Sequence, residues 1–190
     1  MLHTFAVYVE NKPGVLNRVA SLFRRRAYNI ESLTVGHTDK PGVSRMTIVV
    51  DTDEFGARRL EAHLYKLVNV LYVDDLSHSP AVSRDLAMIK VSANIENRSS
   101  ILQLAHVFRS RVVDVSTDSI IVEITGTEDK IDGLLEVLRP YGILEMVRTG
   151  RVAMARGAKA AAAAVAGNGV STGALYADEF SQPDDVSYSV

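Results

Sequence analysis

The sequence predicts an α+β protein that consists of two tandem βαββαβ units followed by a low-complexity C-terminal tail. Three observations support this prediction. Segments with alternating apolar residues and segments with helical apolar spacing follow one another in the order strand, helix, strand, strand, helix, strand. The same order then occurs a second time. Clusters of Gly, Pro, Asn and Asp separate the segments and mark the turns between them.

The first unit is predicted to span residues 1–79. Between its second and third strands lie Pro41 and Gly42, both typical of turns. In chain order, the predicted elements are a strand over 2–9, a helix from 15 to about 26, strands over 30–35 and 43–50, a helix with apolar positions Ala57, Leu60, Leu64, Leu67 and Val68, and a strand over 70–73. This order is that of the ferredoxin-like fold.

The second unit is predicted to span residues 82–156, and the join lies near residues 78–81. Thr127 is a candidate cap for its second helix, which Pro140 ends. In chain order, the predicted elements are a strand over 86–93, a helix with apolar face Ile101, Leu104, Ala105 and Phe108, strands over 112–115 and 120–125, a helix with apolar face Ile131, Leu134, Leu135 and Leu138, and a strand over 143–147.

A shift of 85 residues aligns the first helix of each unit, for example Val19 with Leu104. The polar turn residues of the first unit are not repeated at this shift. It pairs Asn11 with Glu96, Gly14 with Ser99 and Asn29 with Asp114. Since the carboxylates at two of these three places would repel an anionic ligand, we expect a small-molecule site in the first unit only.

Composition limits the possible functions of the 190-residue chain. Its 47% hydrophobic content is ample for a packed core, and 21 Lys and Arg against 23 Asp and Glu give a net charge of −2. This balance offers no electrostatic case for binding nucleic acid or an anionic membrane. The absence of cysteine excludes disulfides, Cys-ligated zinc and thiol catalysis. With no signal-peptide pattern and no apolar run of about 20 residues, we expect a soluble, cytoplasmic protein.

The turn between the first strand and first helix is the most informative local feature. Asn11, Pro13 and Gly14 bring the chain into a helix whose positive end and outward N–H groups suit a carboxylate or a phosphate. A second carboxamide, Asn29, opens the next strand, followed by Ile30. Because no catalytic acid, base or nucleophile lies nearby in the sequence, the pattern favours a sensor of a small zwitterion over an enzyme.

Other charged clusters have simpler interpretations. The run Arg24 to Arg26 is typical of the solvated last turn of a helix, where cations are favoured. The acids Asp51, Asp53, Glu54, Asp74 and Asp75 fit strand ends and a helix start. The five histidines, His3, His37, His63, His78 and His106, fall on different elements without ligand spacing, so we expect no metal site.

The segment over 157–190 changes character. It contains the alanine run 160–164 and a Gly-Asn-Gly break, and beyond Lys159 its charged residues are all acidic. Because few large apolar residues remain to offset ordering entropy, we expect a mostly disordered tail of undetermined role.

The motif Asn11-x-Pro13-Gly14-Val15-Leu16 is typical of ACT domains. Further blocks occur at 26–35, 44–48, 66–70, 123–127 and 150–153. Together they resemble the small, regulatory subunit of acetohydroxyacid synthase (acetolactate synthase) over residues 1 to 157. The chain departs from that pattern at Ala27, where Gly is usual, at Asn17, where Ser or Thr is usual, and in its long tail.

This resemblance implies a non-catalytic subunit that binds and activates a thiamine-diphosphate-dependent catalytic subunit and confers feedback inhibition by valine or another branched-chain amino acid. Thiamine diphosphate, Mg and FAD are expected only in the catalytic partner, and no cofactor is expected here. A homodimer through the ACT domains is also implied, with the strand over 30–37 at an exposed edge. The implied effector-binding residues are Asn11, Pro13, Gly14, Val15, Leu16, Asn29 and Ile30.

Two alternatives of a different class stay open at this point. One is a stand-alone ACT-type amino-acid sensor that acts on another enzyme or on transcription, although no helix-turn-helix pattern or basic stripe is evident. The other is a small metabolic enzyme on a ferredoxin-like fold, although the sequence offers no nucleophile–base arrangement. The preferred effector and the stoichiometry with a catalytic subunit are not determined by the sequence.

Overall fold

The computed structural model describes residues 1–157. The predicted disordered tail lies outside the described residues, apart from Gly157. Within residues 1–157, no helix is long and apolar enough to cross a bilayer. The described chain forms two tandem ferredoxin-like units of the predicted α+β class.

The first unit is a four-stranded antiparallel sheet with two helices on one face. Its elements are β1 (Leu2–Glu10), α1 (Val15–Arg25), β2 (Ile30–His37), β3 (Val43–Asp51), α2 (Glu54–Leu64) and β4 (Val70–Asp75). The strand order is β2-β3-β1-β4. Alternate residues of β1, such as Phe5 and Val7, meet Val19 and Phe23 of α1 in a buried core, as the two apolar periods predict.

One helix end differs from the prediction. The apolar spacing continues to Val68, but α2 ends at Leu64 and Val68 is 93% exposed. The N–H of Leu67 donates to the carbonyl of Leu64, and the N–H of Val70 donates to that of Leu67, both at 3.0 Å. These tight turns lead the chain into β4 in place of a further helical turn.

The second unit repeats the architecture. Its elements are β5 (Ala81–Ser92), α3 (Arg98–Val107), β6 (Arg111–Val115), β7 (Ser119–Gly126), α4 (Glu128–Leu138), a 3-10 turn (Arg139–Tyr141), β8 (Ile143–Arg148) and β9 (Val152–Ala155). The order β6-β7-β5-β8 matches that of the first sheet. Thr127 occupies the N-cap position of α4, but its side chain makes no capping hydrogen bond.

The predicted shift of 85 residues between the units is wrong. Each first strand has a register irregularity against its last strand, between Tyr8 and Val9 and between Lys90 and Val91. A left-handed residue follows each first helix, at Ala27 and at Arg109. Both pairs of equivalent positions (8 and 90, 27 and 109) are 82 residues apart. The helix periodicity misleads because a shift of three or four residues also superposes apolar positions.

The corrected shift still leaves the ligand turn unrepeated. It pairs Gly14 with Glu96 and Asn11 with Ala93. In the second unit the carboxamide of Asn94 accepts hydrogen bonds from the N–H groups of Glu96 and Asn97, at 3.0 and 2.9 Å. The turn before α3 is therefore closed by its own side chain.

Strand β9 and the first residues of β5 are absent from the sequence prediction. They pair with each other, Ala81 with Ala155 and Arg84 with Val152, and form a ribbon. Ala153 of this ribbon is buried against Ala6 and Leu76 of the first unit. Four residues rich in alanine give too weak an alternation to predict a strand, yet their small size permits close packing on the first sheet.

Candidate ligand site at the first strand–helix turn

Gly14 is the N-cap residue of α1 and adopts φ 81° and ψ −5°, in the left-handed region. This conformation is the reason for glycine here, because other residues adopt it at a cost. An added Cβ would have no atom of the described chain within 4 Å. Open space therefore lies in front of the turn, and a side chain at position 14 would occupy that space.

The first turn of α1 carries no negative group of its own. No side chain caps the helix at this end. By contrast, α2 is capped by Asp53, whose carboxylate accepts a hydrogen bond from the N–H of Gly56 at 2.7 Å, and its first residue is the acidic Glu54. The first N–H groups of a helix have no intrahelical acceptor. The α1 terminus is thus suited to an anion supplied from outside the helix.

The predicted turn residues lie together around this terminus. The N–H of Asn11 donates to the carbonyl of Gly42 at 2.8 Å, which ties the turn to the β2–β3 hairpin. Asn11, Pro13 and Leu16 are exposed, whereas Val15 is buried in the core and anchors the turn. The turn therefore presents a carboxamide and an apolar side chain beside free space.

A polar network that the sequence did not predict lies next to the turn. The buried Asn69 donates to the Glu10 carboxylate at 2.5 Å, and the Arg18 guanidinium donates to the Asn69 carboxamide oxygen. The N–H of Arg18 also donates to the carbonyl of Gly14 at 3.0 Å. Arg18 is thereby held on the first turn of α1 as an exposed cation. The signal was Asn69 between apolar residues, which predicts a satisfied buried amide.

Asn29 and Ile30 do not join this group within one chain. Strands β1 and β2 both run antiparallel to β3, but Glu10 pairs with Val43 and Ile30 pairs with Val50. These two ends of β3 are about 23 Å apart, at roughly 3.3 Å per residue. The seven predicted residues therefore form two groups at opposite ends of the sheet.

Asn29 lies in the segment between α1 and β2. The left-handed residue after α1 is Ala27, with φ 57°, and not Asn29. The Asn29 side chain is exposed, and its amide donates to the Glu31 carboxylate at 2.5 Å. Its carboxamide oxygen is directed away from that contact and can accept a further hydrogen bond.

The interpretations of the other charged residues are confirmed, except for the histidines. Arg24 and Arg25 form the exposed last turn of α1. The histidines lie on different elements, as the sequence indicates, but two of them meet in the fold. His3 and His78 approach each other with ring centroids 5.8 Å apart, and Glu54 joins them. Sequence distance hid this cluster, because β1 and the segment after β4 meet only in the folded sheet.

Comparison with known proteins places the chain in a family. A family model described as the small subunit of acetolactate synthase matches residues 84–157, and one described as the AHAS small subunit-like ACT domain matches residues 5–72. A probable acetolactate synthase small subunit of Archaeoglobus fulgidus is 52% identical over 84% of this chain and 99% of its own length. The chain belongs to the acetolactate synthase small-subunit family.

Two further members of this family match over nearly their whole length. The acetolactate synthase small subunit of Mycolicibacterium smegmatis is 47% identical over 85% of this chain and 95% of its own. A crystal structure of the Thermotoga maritima small subunit is 40% identical, has a TM-score of 0.78 and covers 83% of this chain and 99% of that one. The family resemblance seen in the sequence is confirmed, and residues after 157 lie beyond the matching family models.

Proposed function

We propose that this member of the family is a non-catalytic regulatory subunit, which activates the thiamine-diphosphate-dependent catalytic subunit of acetolactate synthase in the cytoplasm and makes it sensitive to valine. The observation that carries the proposal is the uncapped N-terminus of α1 at Gly14, which faces open space. An amino-acid carboxylate supplies the negative charge that this helix end lacks. Leu16, an exposed apolar side chain beside the turn, suits a branched aliphatic side chain.

The separation of the two residue groups supports a site shared by two chains. Within the described residues, β2 pairs only with β3 and lies at the edge of its sheet, where Val35 is 47% exposed. Pairing β2 with its twofold mate is isologous and antiparallel. In this antiparallel pairing, the partner's Asn29 lies beside the His37 end of this chain's β2. The Gly14 turn lies at the same end of the sheet, because His37 pairs with Ser44 and Glu10 pairs with Val43.

This arrangement gives each ligand group a counterpart. The helix N–H groups receive the carboxylate, while the oxygens of Asn11 and of the partner's Asn29 accept from the ammonium group. The partner's Ile30 and this chain's Leu16 flank the aliphatic side chain. Two equivalent sites result per dimer. Valine inhibits because it binds one arrangement of the two chains more tightly than the other, and a coupling of about 1–3 kcal/mol is typical.

The first test uses Gly14→Asp in an assay of acetolactate formation by the catalytic subunit with and without this chain. The introduced carboxylate repels the valine carboxylate, so we expect activation to remain and the half-inhibitory valine concentration to rise at least about tenfold. Gly157→Asp is the matched control, since Gly157 has φ 83° and an added Cβ there would have no atom of residues 1–157 within 4 Å. Unchanged valine inhibition in Gly14→Asp would refute the site.

A second test asks whether the site is shared. Gly14→Asp and Asn29→His each damage both sites of their own homodimer. In a dimer of one Gly14→Asp chain and one Asn29→His chain, both substitutions lie in the same site. The other site combines an unchanged Gly14 with an unchanged Asn29 and is intact. Random exchange of subunits therefore restores valine binding at about a quarter of all sites, measurable by calorimetry. If mixing restores nothing although exchange is shown by mass spectrometry, the two residue groups do not share a site.

A further inference from the structure

Three side chains from distant parts of the chain meet in the folded first unit. His3 lies in β1, Glu54 is the first residue of α2, and His78 belongs to the segment between β4 and β5. One possible ligand atom from each residue lies within 4.8 Å of the other two. Nε2 of His78 and a carboxylate oxygen of Glu54 are 2.9 Å apart. We call these residues the His3–Glu54–His78 cluster.

The buried histidine of this cluster has an unused nitrogen. His3 is 0% exposed, and its Nε2 has no hydrogen-bond partner among the described residues. A buried polar atom without a partner costs free energy, so a ligand for it is favoured. The other ring nitrogen, Nδ1, lies 3.3 Å from a carboxylate oxygen of Asp75. Nε2 is therefore the His3 nitrogen that is available to a ligand.

Asp75 is itself held in place. Its second carboxylate oxygen accepts from the N–H of Ser77 at 2.9 Å and also from the Ser77 hydroxyl. A fixed carboxylate on the far nitrogen of a metal-binding histidine sets the ring orientation and increases its basicity as a ligand. The Asp75–His3 pair has this arrangement, with Nε2 on the side away from Asp75.

We propose that the His3–Glu54–His78 cluster binds a divalent transition-metal ion, with Zn²⁺ as the natural occupant. Two imidazoles and one carboxylate are typical zinc ligands, and water completes a four-coordinate site. Imidazole nitrogens disfavour Mg²⁺ and Ca²⁺, which prefer oxygen ligands. Nothing in the valine site takes part, so this inference does not rest on the proposed regulatory function.

The geometry needs only a small adjustment. Ligand atoms about 2.1 Å from a tetrahedral zinc ion are roughly 3.4 Å apart. His78 and Glu54, whose side chains are 53% and 49% exposed, have room to separate around an ion. His3 stays fixed by burial. A bound ion would connect β1, α2 and the segment that leads into the second unit, and would stabilise the folded chain by mass action.

The test is zinc binding by the untagged full-length chain after removal of metals with a chelator. Titration against a chromophoric zinc chelator is expected to show one Zn²⁺ per chain, and Zn²⁺ is expected to raise the thermal unfolding midpoint. Co²⁺ serves as a spectroscopic probe, because coordination in a four-coordinate site gives a visible absorption band.

Two exposed ligands provide variants that leave the core intact. His78→Ala and Glu54→Gln are each expected to weaken Zn²⁺ binding at least tenfold and to abolish the rise in unfolding temperature. His106→Ala, which removes an exposed histidine of α3 outside the cluster, is expected to bind like the wild type. The proposal is overturned if the wild type binds no stoichiometric Zn²⁺, or if either variant binds it as tightly as the wild type does.

Discussion

The packing of the second unit on the first can be tested at Gly150. An ideal Cβ at this position would lie 2.7 Å from the hydroxyl of Ser32 and 2.8 Å from the carbonyl oxygen of Leu33. The neighbouring Arg151 donates its N–H to the Ser32 hydroxyl and accepts from the Thr34 hydroxyl, both at 2.7 Å. Gly150→Ala therefore forces the segment between β8 and β9 away from β2.

The magnitude follows from these contacts. The Ser32 side chain can rotate, but the Leu33 carbonyl is backbone and can move only with its strand. Inserting a methyl group into such a contact costs about 1–3 kcal/mol. For a chain of this size, 1 kcal/mol shifts the unfolding midpoint by about 2–4 °C. We therefore expect Gly150→Ala to lower the midpoint by about 2–12 °C.

Thermal and urea unfolding measure this effect, and Gly133→Ala provides the control. Gly133 lies inside α4, where an added Cβ would be 3.5 Å from the Phe108 ring, an ordinary contact. Alanine there stabilises the helix by about 1 kcal/mol. The two variants make the same chemical change with opposite expected signs. A midpoint for Gly150→Ala at or above that of the wild type would show that the segment does not pack against β2 in this way.

Two further predictions concern single residues of the first unit. Ala27→Gly is expected to stabilise the chain by about 1 kcal/mol in urea unfolding, because Ala27 has φ 57° and glycine adopts this region without strain; no gain would argue against the left-handed turn after α1. Burial, with the nearby charges of Asp75 and Asp74, raises the pKa of the Glu61 carboxyl above 4.5. A raised carboxyl pKa means that the folded state binds the proton more tightly, so stability is lost as pH rises through that pKa. Glu61→Gln is therefore expected to be more stable than the wild type at pH 7 and to lose this advantage below pH 4.5; an advantage equal at both pH values would contradict the stated cause.

The sequence predicts the elements that have strong local periodicity. Val15, Val19 and Phe23 recur at helical spacing and are buried as expected, and alternate residues of β1 enter the same core. Local signals also predict that Asn11, Pro13 and Gly14 lie in the turn between the first strand and the first helix, as they do. Burial of one face is sufficient to fix such elements, because a wrong register would expose the apolar set.

The missed features all depend on contacts between distant residues. The ribbon of β5 and β9 forms because a small Ala153 fits against Ala6 of the first sheet, and no local pattern encodes that fit. Gly14 and Asn29 are far apart because β1 and β2 pair with opposite ends of β3 at Glu10 and Ile30. The sequence motifs that contain Gly14 and Asn29 do not reveal this pairing. His3 and His78 likewise meet only through the path of β4.

The position of β2 gives a short physical route between the proposed valine site and the second unit. Ile30 begins this strand, and Ser32 and Thr34, which bond to Arg151, are two and four residues further along it. Strand β2 pairs with β3 on both sides of a register irregularity between Ile30 and Ser32, so a shift of Ile30 on ligand binding would have to pass this irregularity to reach Arg151. Arg151 also pairs with Glu128 of α4 at 3.0 Å. If valine binds across the β2 edge, its effect on the second unit requires no long chain of intermediate contacts, and the energy of the β2–Arg151 contact limits how much coupling can be transmitted.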